Sequence, residues 1–118
     1  MLLVEDEGAV LSLTRRILER AGYHVFDAHN AQQAEALFAA DARKFSLLVT
    51  DVIMPGSSGP QLFERLALQR PDLKVLYLSG YTDDTIMRRG QLAPGVEFLQ
   101  KPFTAEALKK RVRQILDR

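Results

Sequence analysis

The sequence predicts an α/β fold in which five short strands alternate with amphipathic helices. Apolar runs recur five times along the 118 residues, and the stretches between them place apolar residues three and four positions apart. Each of these stretches is long enough for a crossover between parallel strands. Because such crossovers are right-handed, few strand orders are available. The expected order is 2-1-3-4-5, that of a flavodoxin-like (βα)5 three-layer sandwich with a parallel five-stranded sheet.

The first predicted strand covers residues 2–4. The helix after it is expected to bury a face of apolar residues at helical spacing, with two leucines beside that face: Val10, Leu13, Ile17 and Ala21, then Leu11 and Leu18. Gly22 is a helix-stop signal. Residues 23–28 contain aromatic and β-branched side chains and predict the second strand.

A second helix is predicted after Asn30, which can cap it, and Gln33 stands three residues later in capping-box position. The apolar face of this helix is expected to consist of Ala34, Leu37 and Phe38. Residues 45–50 form the third predicted strand, which is apolar enough to be covered on both faces. This strand leads directly to Asp51.

The third helix is expected to contain Pro60 in its first turn. It should end before Pro71, because the residue that precedes a proline is pushed out of the helical region. The loop before this helix, residues 56–59, is expected to be flexible. The apolar face of the helix contains Leu62, Phe63 and Leu66. Residues 75–78 predict the fourth strand.

A short fourth helix is predicted next, capped by Thr82 or Asp83 and running through Met87. Residues 96–99 predict the fifth strand. Thr104 can cap the last helix, whose expected apolar face is Leu108, Val112 and Ile115. Strands and helices thus fill the chain, which predicts one domain over residues 1–118.

The composition is that of an ordinary globular domain, with 47% apolar and 26% charged residues. The formal net charge of +1 gives no bulk attraction to nucleic acid or to a membrane surface. Without cysteine there is no disulfide or thiolate site, which suits a reducing cytoplasm. No stretch approaches the roughly 20 apolar residues of a membrane span. The chain opens almost inside its first strand, which suggests a domain cut from a longer protein.

Charged residues follow three of the predicted strands where each strand ends. Glu5 and Asp6 follow the first, Asp51 follows the third and Lys101 follows the fifth. The carboxyl ends of parallel strands meet at one edge, where open α/β sheets bind ligands. Two carboxylates about 4 Å apart at an effective dielectric of ~20 repel each other by roughly 4 kcal/mol, so this cluster needs a counter-charge. Oxygen ligands favour Mg²⁺, or Mn²⁺, over Zn²⁺.

An aspartate beside a hard cation and an ammonium group indicates phosphoryl chemistry. Carboxylates act as nucleophiles in aspartyl-phosphate formation, where a metal and a cation neutralise the transferring group. Lys101 can supply that cation, and the hydroxyl of Ser79 or of Thr50 can donate a hydrogen bond. Asp51 is the expected phosphoryl acceptor.

Four motifs resemble those of one known family. They are Leu-Val-Glu-Asp-Glu at 3–7, Val-Thr-Asp-Val-Ile-Met-Pro at 49–55, Leu-Ser-Gly at 78–80 and Phe-Leu-Gln-Lys-Pro-Phe at 98–103. They stand in the right order at the right strand ends. Over essentially its whole length the chain resembles a response regulator receiver domain of two-component signalling.

The resemblance implies a role for each site residue. Asp51 is the phosphoacceptor and takes its phosphoryl group from a phosphohistidine on a histidine kinase or histidine phosphotransfer protein. Asp6 and Asp51, with the backbone carbonyl of Ile53, hold Mg²⁺. Glu5 acts on the metal mostly through water. Lys101 pairs with the phosphoryl oxygens.

The resemblance also implies a switch. Ser79 turns toward the phosphoryl group and Phe98 moves into the vacated space, which changes the surface formed by the fourth helix, fifth strand and fifth helix. Three positions depart from the commonest family pattern, with Glu5 in place of Asp, Ser79 in place of Thr and Phe98 in place of Tyr. The bond between Lys101 and Pro102 is expected to be cis.

Several contexts fit these motifs. Residues 79–84 and 98–103 look most like receivers of hybrid sensor histidine kinases, in which a cytoplasmic domain can be tethered to a membrane-bound kinase. Stand-alone and transcription-linked receivers share the motifs. The domain is expected to accept phosphoryl groups without metabolic turnover, to bind no nucleic acid directly, to stay out of the membrane, and to be a monomer or weak dimer.

Two other functions are less favoured. An aspartate-nucleophile phosphatase commonly has a second acid two residues after its nucleophile, and here that position is Ile53. A pseudo-receiver that only binds a partner would not need every acceptor position to be filled.

Overall fold

One parallel sheet of five strands forms the centre of the fold. The computed structural model describes residues 1–80 and 97–117. Its strands are β1 (Leu2–Val4), β2 (Phe26–Ala28), β3 (Leu47–Asp51), β4 (Lys74–Ser79) and β5 (Phe98–Gln100). They pair in parallel in the order β2-β1-β3-β4-β5. The predicted strand order is therefore confirmed.

Helices cover both faces of this sheet. α1 (Gly8–Arg20) and the last helix (Ala105–Leu116) pack on one face, and α2 (Ala31–Ala40) and α3 (Gly59–Gln69) pack on the other. All residues of β3 are buried, as expected for a strand covered on both sides. A short 3-10 helix, Ala42–Lys44, was not predicted. The three predicted layers are present.

Part of the prediction lies outside the described residues. The fourth helix with its capping candidates Thr82 and Asp83, and the first predicted residue of the fifth strand, Val96, all fall within residues 81–96. The part of the switch surface that this helix would form also lies outside the described residues. None of the helices within residues 1–80 and 97–117 has the length and apolarity that a bilayer crossing requires.

α1 buries a different stripe from the one predicted. Leu13 was expected to face the core but is 54% exposed, so that prediction is wrong. The buried residues are Leu11, Thr14 and Leu18. Because each residue turns an α-helix by about 100°, Leu13 stands on nearly the opposite side from Leu11. Leu11 and Leu18, which were predicted to lie beside the buried face, therefore belong to the face that α1 buries.

Strand pairing explains where the observed strands differ from the predicted ones. β2 is shorter than residues 23–28 because Phe26 pairs with Leu2, so the residues before Phe26 lie beyond the start of β1. β3 extends one residue past its predicted end because Asp51 pairs with Leu78 of β4. The backbone of Asp51 is thus part of the central ladder.

Side-chain caps fix the starts of the helices. Asn30 accepts a hydrogen bond from Gln33 N–H at 2.8 Å, as predicted. The Gln33 side chain accepts from His29 N–H rather than from the N–H of Asn30, so the box is offset by one residue. Thr104 caps the last helix through the N–H of Ala107, as predicted.

α3 begins with a complete capping box that was not predicted. Ser58 Oγ accepts from Gln61 N–H at 3.2 Å, and Gln61 Oε1 accepts from Ser58 N–H at 3.0 Å. The loop expected to be flexible is therefore fixed at the end that joins α3. Gly56 in the same loop has a φ of 80°, a conformation that favours glycine. α3 ends before Pro71, as predicted.

Candidate functional site

The carboxyl edge of the sheet forms a cleft that contains most of the predicted site. Its lining includes six residues that the sequence singled out: Glu5, Asp6, Asp51, Ile53, Ser79 and Lys101. They come from the ends of β1, β3, β4 and β5. Of the predicted site residues, Phe98 is not part of this lining.

Hydrogen bonds of the ladder continue past the strand ends and position the side chains of the cleft. Glu5 N–H donates to Ala28 O at 3.1 Å, which holds the segment after β1 beside β2. Lys101 N–H donates to Ser79 O at 2.6 Å, so Lys101 stays beside β4 although it follows the end of β5. The peptide bond between Lys101 and Pro102 is cis, as predicted.

Lys101 bridges two buried carboxylates. Its Nζ lies 2.7 Å from Glu5 Oε2 and 2.5 Å from Asp51 Oδ1. Glu5 is 1% exposed and Asp51 is 4% exposed, so water screens neither carboxylate well. The ammonium is a counter-charge in direct contact with both. Asp6 is exposed beside them.

The acidic residues of the cleft fit a hard divalent cation. Carboxylate oxygens of Glu5, Asp6 and Asp51 lie within 4.8 Å of one another. Asp51 Oδ1 is buried against the Lys101 ammonium, whose Nζ is 2.5 Å away. Buried carboxylates are costly unless their charge is balanced. Three carboxylates outnumber one ammonium, and oxygen ligands suit Mg²⁺ or Mn²⁺.

Burial changes the protonation of this cluster. Removal from water, helped by the Glu5 carboxylate, raises the pKa of Asp51 to about 8 against the opposing effect of Lys101. For Lys101, burial lowers the pKa, but the contacts with Asp51 and Glu5 outweigh burial and the pKa is raised. In the absence of metal, Lys101 is therefore charged, and Asp51 holds its proton to a higher pH than an exposed aspartate does.

We expect replacement of Asp51 by asparagine to stabilise the metal-free fold increasingly as pH rises. An unfolded aspartate loses its proton near pH 4, whereas folded Asp51 keeps it until about pH 8. Across that window the unfolded state binds fewer protons than the folded state, so the wild type loses stability as pH increases. Asparagine does not titrate. The difference in unfolding free energy should grow to about 2 kcal/mol or more above pH 8.

Urea unfolding in the presence of a chelator, from pH 4 to pH 9, measures this difference. Asp72→Asn is the matched control, because the guanidinium of Arg70 lowers the pKa of the exposed Asp72 carboxyl. The stabilisation by ionised Asp72 is present above the pKa of the unfolded state and is lost at lower pH. The control variant should therefore be slightly less stable than the wild type, which is the opposite sign to that expected for Asp51→Asn. A pH-independent difference for Asp51→Asn would contradict the expectation.

The hydroxyls of Ser79 and Thr50, both considered as donors to the site, have different surroundings. Ser79 is buried and lines the cleft. Thr50 Oγ1 instead donates to Asp51 O at 3.1 Å and lies near the sulfur of Met54. Adjacent residues of a strand point to opposite faces, so Thr50 turns away from the cleft that Asp51 enters. The suggestion that Thr50 serves the site is wrong.

Phe98 and Ile53 occupy different surroundings. Phe98 is half-buried and packs with Tyr77 and Val52, next to the cleft rather than inside it. Its backbone oxygen accepts a hydrogen bond from Arg111 Nη1 at 2.6 Å. Ile53 lines the cleft and is 39% exposed. Of these two residues, only Ile53 is part of the cleft lining.

Two contacts that hold the site were not predicted. Glu7 N–H donates to Glu5 Oε1 at 3.1 Å, which fixes the Glu5 carboxylate. Gly59 N–H donates to Val52 O at 2.7 Å, and a Cβ on Gly59 would lie only 2.1 Å from Asp51 O. The sequence signal for the second contact was a glycine between a capping serine and a first-turn proline.

The strand order and the acidic cleft are shared with a known family. The family model of the response regulator receiver domain matches residues 1–113. The chain is a response regulator receiver domain. Receiver domains bind Mg²⁺ at an acidic pocket and partner with histidine kinases or phosphotransfer proteins.

The receiver domain is similar to proteins with different architectures. It is 34% identical to the sensor kinase CckA of Brucella abortus, over 100% of its own length and 12% of that protein. It is 31% identical to the response regulator receiver protein CpdR of the same organism, over 98% of its own length and 95% of that protein. It spans 20% of the two-component response regulator ARR10 of Arabidopsis thaliana.

Solved structures agree with this assignment. The receiver domain of the hybrid histidine kinase CckA is 36% identical, with a TM-score of 0.82 and coverage of 98% of this chain and 96% of that one. The chemotaxis protein CheY4 of Vibrio cholerae is 25% identical, with a TM-score of 0.84 and coverage of 97% and 95%. The likeness to hybrid-kinase receivers that the sequence indicated is confirmed.

Proposed function

We propose that this receiver domain accepts a phosphoryl group on Asp51 from a phosphohistidine of a histidine kinase or histidine phosphotransfer protein. The observation that supports this best is the 2.5 Å contact of Lys101 Nζ with Asp51 Oδ1, in a cleft that also contains Glu5 and Asp6. A fixed ammonium beside a buried carboxylate is oriented for the negative charge that a phosphoryl group brings.

We propose Mg²⁺ as the cofactor, with Mn²⁺ able to use the same ligands. Asp6 and Asp51 would bind it together with the backbone carbonyl of Ile53, and Glu5 would act on it mostly through water. When bound, the metal supplies positive charge to the oxygens of the transferring group. The cluster of three carboxylates, of which those of Glu5 and Asp51 are buried, supports this choice.

In the transfer, an ionised oxygen of Asp51 attacks the phosphorus atom of the phosphohistidine. An O–P bond forms and the N–P bond breaks, with its electron pair left on the partner's imidazole, which takes a proton from solvent. Lys101 neutralises the phosphoryl oxygens and the Ser79 hydroxyl donates a hydrogen bond to them. Because only the carboxylate is nucleophilic, a proton on Asp51 must leave before the attack.

We further propose that phosphorylation acts through Ser79 and Phe98. Ser79 ends β4 and Phe98 begins the neighbouring strand β5, where it pairs with Tyr77, two residues before Ser79. The surface expected to respond includes β5 and the last helix. Arg111 of this helix donates a hydrogen bond to the Phe98 carbonyl and so joins the two elements. The predicted fourth helix would complete this surface.

We propose that residues 1–118 act as one receiver module attached to a hybrid sensor histidine kinase. The similarity to the CckA receiver supports this context, and the absence of cysteine is compatible with a cytoplasmic position tethered to a kinase. The similarity to CpdR favours a stand-alone receiver as the second candidate. We propose a monomer or weak dimer that neither binds nucleic acid directly nor inserts into a membrane.

Intact-mass spectrometry after treatment with acetyl phosphate and Mg²⁺ tests the proposed function. The wild type should gain one phosphoryl group, and Asp51→Asn should gain none. Asp72→Asn, at an exposed acid that precedes β4 and is not part of the cleft lining, should behave as the wild type does. An unmodified wild type, or a modified Asp51→Asn variant, would refute the proposal. Steady release of phosphate from a phosphomonoester without an adduct would favour the phosphatase alternative.

A further inference from the structure

Glu5 has both carboxylate oxygens engaged within the protein. Oε1 accepts from Glu7 N–H at 3.1 Å, and Oε2 accepts from Lys101 Nζ at 2.7 Å. The residue is 1% exposed. Asp6, in contrast, is exposed, and the buried Asp51 contacts Lys101 Nζ through Oδ1. The three acids of the cleft are therefore not equivalent.

We propose that Glu5 is a positioning residue for Lys101, and that its effect on phosphoryl transfer passes through the ammonium more than through the metal. This inference rests on the proposed function of Asp51. Lysine has a long, flexible side chain, so an ammonium held at one point must lose many rotamers. The Glu5 carboxylate supplies that restraint, because the N–H of Glu7 at the start of α1 fixes the carboxylate itself.

The length of the glutamate side chain makes this arrangement possible. The carboxylate reaches Lys101 with one oxygen while the other stays on a backbone N–H two residues further along the chain. Aspartate is one methylene shorter, so we expect it to lose one of these contacts while it keeps the negative charge. Glutamine keeps the length and loses the charge. The two substitutions thus separate the effect of side-chain length from the effect of charge.

A double-mutant cycle between Glu5→Gln and Lys101→Met tests the coupling. The rate constant for adduct formation is measured at saturating Mg²⁺ and acetyl phosphate, with saturation established for each variant. Glu5→Gln should lower this rate constant about tenfold or more in the wild-type background, as loss of an orienting partner does. In the Lys101→Met background the same change should alter it less than about twofold. Equal losses in both backgrounds would overturn the proposal.

A second measurement does not depend on phosphorylation. In the metal-free protein, Lys101 held by two carboxylates should give a slowly exchanging ammonium signal in a ¹H–¹⁵N spectrum. Glu5→Gln and Glu5→Asp should both weaken or remove this signal, whereas Asp6→Asn should keep it. Retention of the signal in both Glu5 variants, or its loss in all three, would overturn the positioning role. A wild type that shows this signal but forms no adduct would refute only the proposed function.

Discussion

Replacement of Gly59 by alanine is expected to lower the free energy of unfolding by about 3 kcal/mol or more, near the upper range for an overpacked site. The added Cβ would lie 2.1 Å from Asp51 O and 3.1 Å from Thr50 Cγ2. The first of these atoms is a backbone carbonyl in the central strand, so it cannot rotate away as a side-chain end can. Either α3 must move from the sheet or the end of β3 must shift, and both changes disturb Asp51.

Gly8→Ala is the matched control for this substitution. Gly8 is also the first residue of a helix, and a Cβ on it would meet no atom within 4 Å. Because alanine has the higher helix propensity, this variant should be equal to the wild type or more stable by up to about 1 kcal/mol. Urea unfolding of both variants in a chelator measures the difference. Similar effects at the two positions would show that the close approach beneath Asp51 is unimportant.

Replacement of Lys101 by methionine is expected to slow phosphoryl uptake about 10²- to 10³-fold at saturating Mg²⁺, the usual cost of removing a preorganised electrostatic group. Methionine keeps much of the apolar stem and loses the ammonium that contacts Glu5 and Asp51. The same variant should bind Mg²⁺ about tenfold more tightly or better, because no fixed cation then repels the metal from these carboxylates. The two effects have opposite signs, which a general loss of structure would not produce.

Titration calorimetry with Mg²⁺ and the time course of intact mass with acetyl phosphate measure these quantities separately. Lys109→Met is the control, since Lys109 forms its ion pair with Glu106 on the surface of the last helix. It should leave both the affinity and the rate nearly unchanged. Weaker Mg²⁺ binding in Lys101→Met would mean that the lysine supports the metal site rather than competes with it.

Much of the fold could be predicted because its signals are local. The alternation of strands and helices, the cap at Thr104 and the helix end before Pro71 each depend on a few neighbouring residues. The burial of α1 was less predictable. Leu13 and Leu11 are equally apolar, and only the position of the sheet decides that Leu11 is covered while Leu13 is exposed.

The site was predictable as a set of strand-end residues but not as a set of contacts. Parallel strands guarantee that Glu5, Asp51 and Lys101 share an edge, whatever their side chains do. The orientation of Thr50 depends on the register of β3, which its sequence does not specify to one residue. The closeness of Gly59 to Asp51 depends on how α3 packs, so it became visible only in three dimensions.

The contact between Lys101 and Glu5 joins positions 96 residues apart in the chain. Closing so long a loop is entropically expensive, so the contact can persist only after the intervening strands have assembled. A nascent or partly unfolded copy therefore has Asp51, the proposed phosphoryl acceptor, but not the ammonium beside it. Competence to receive a signal is in this way restricted to molecules that have finished folding.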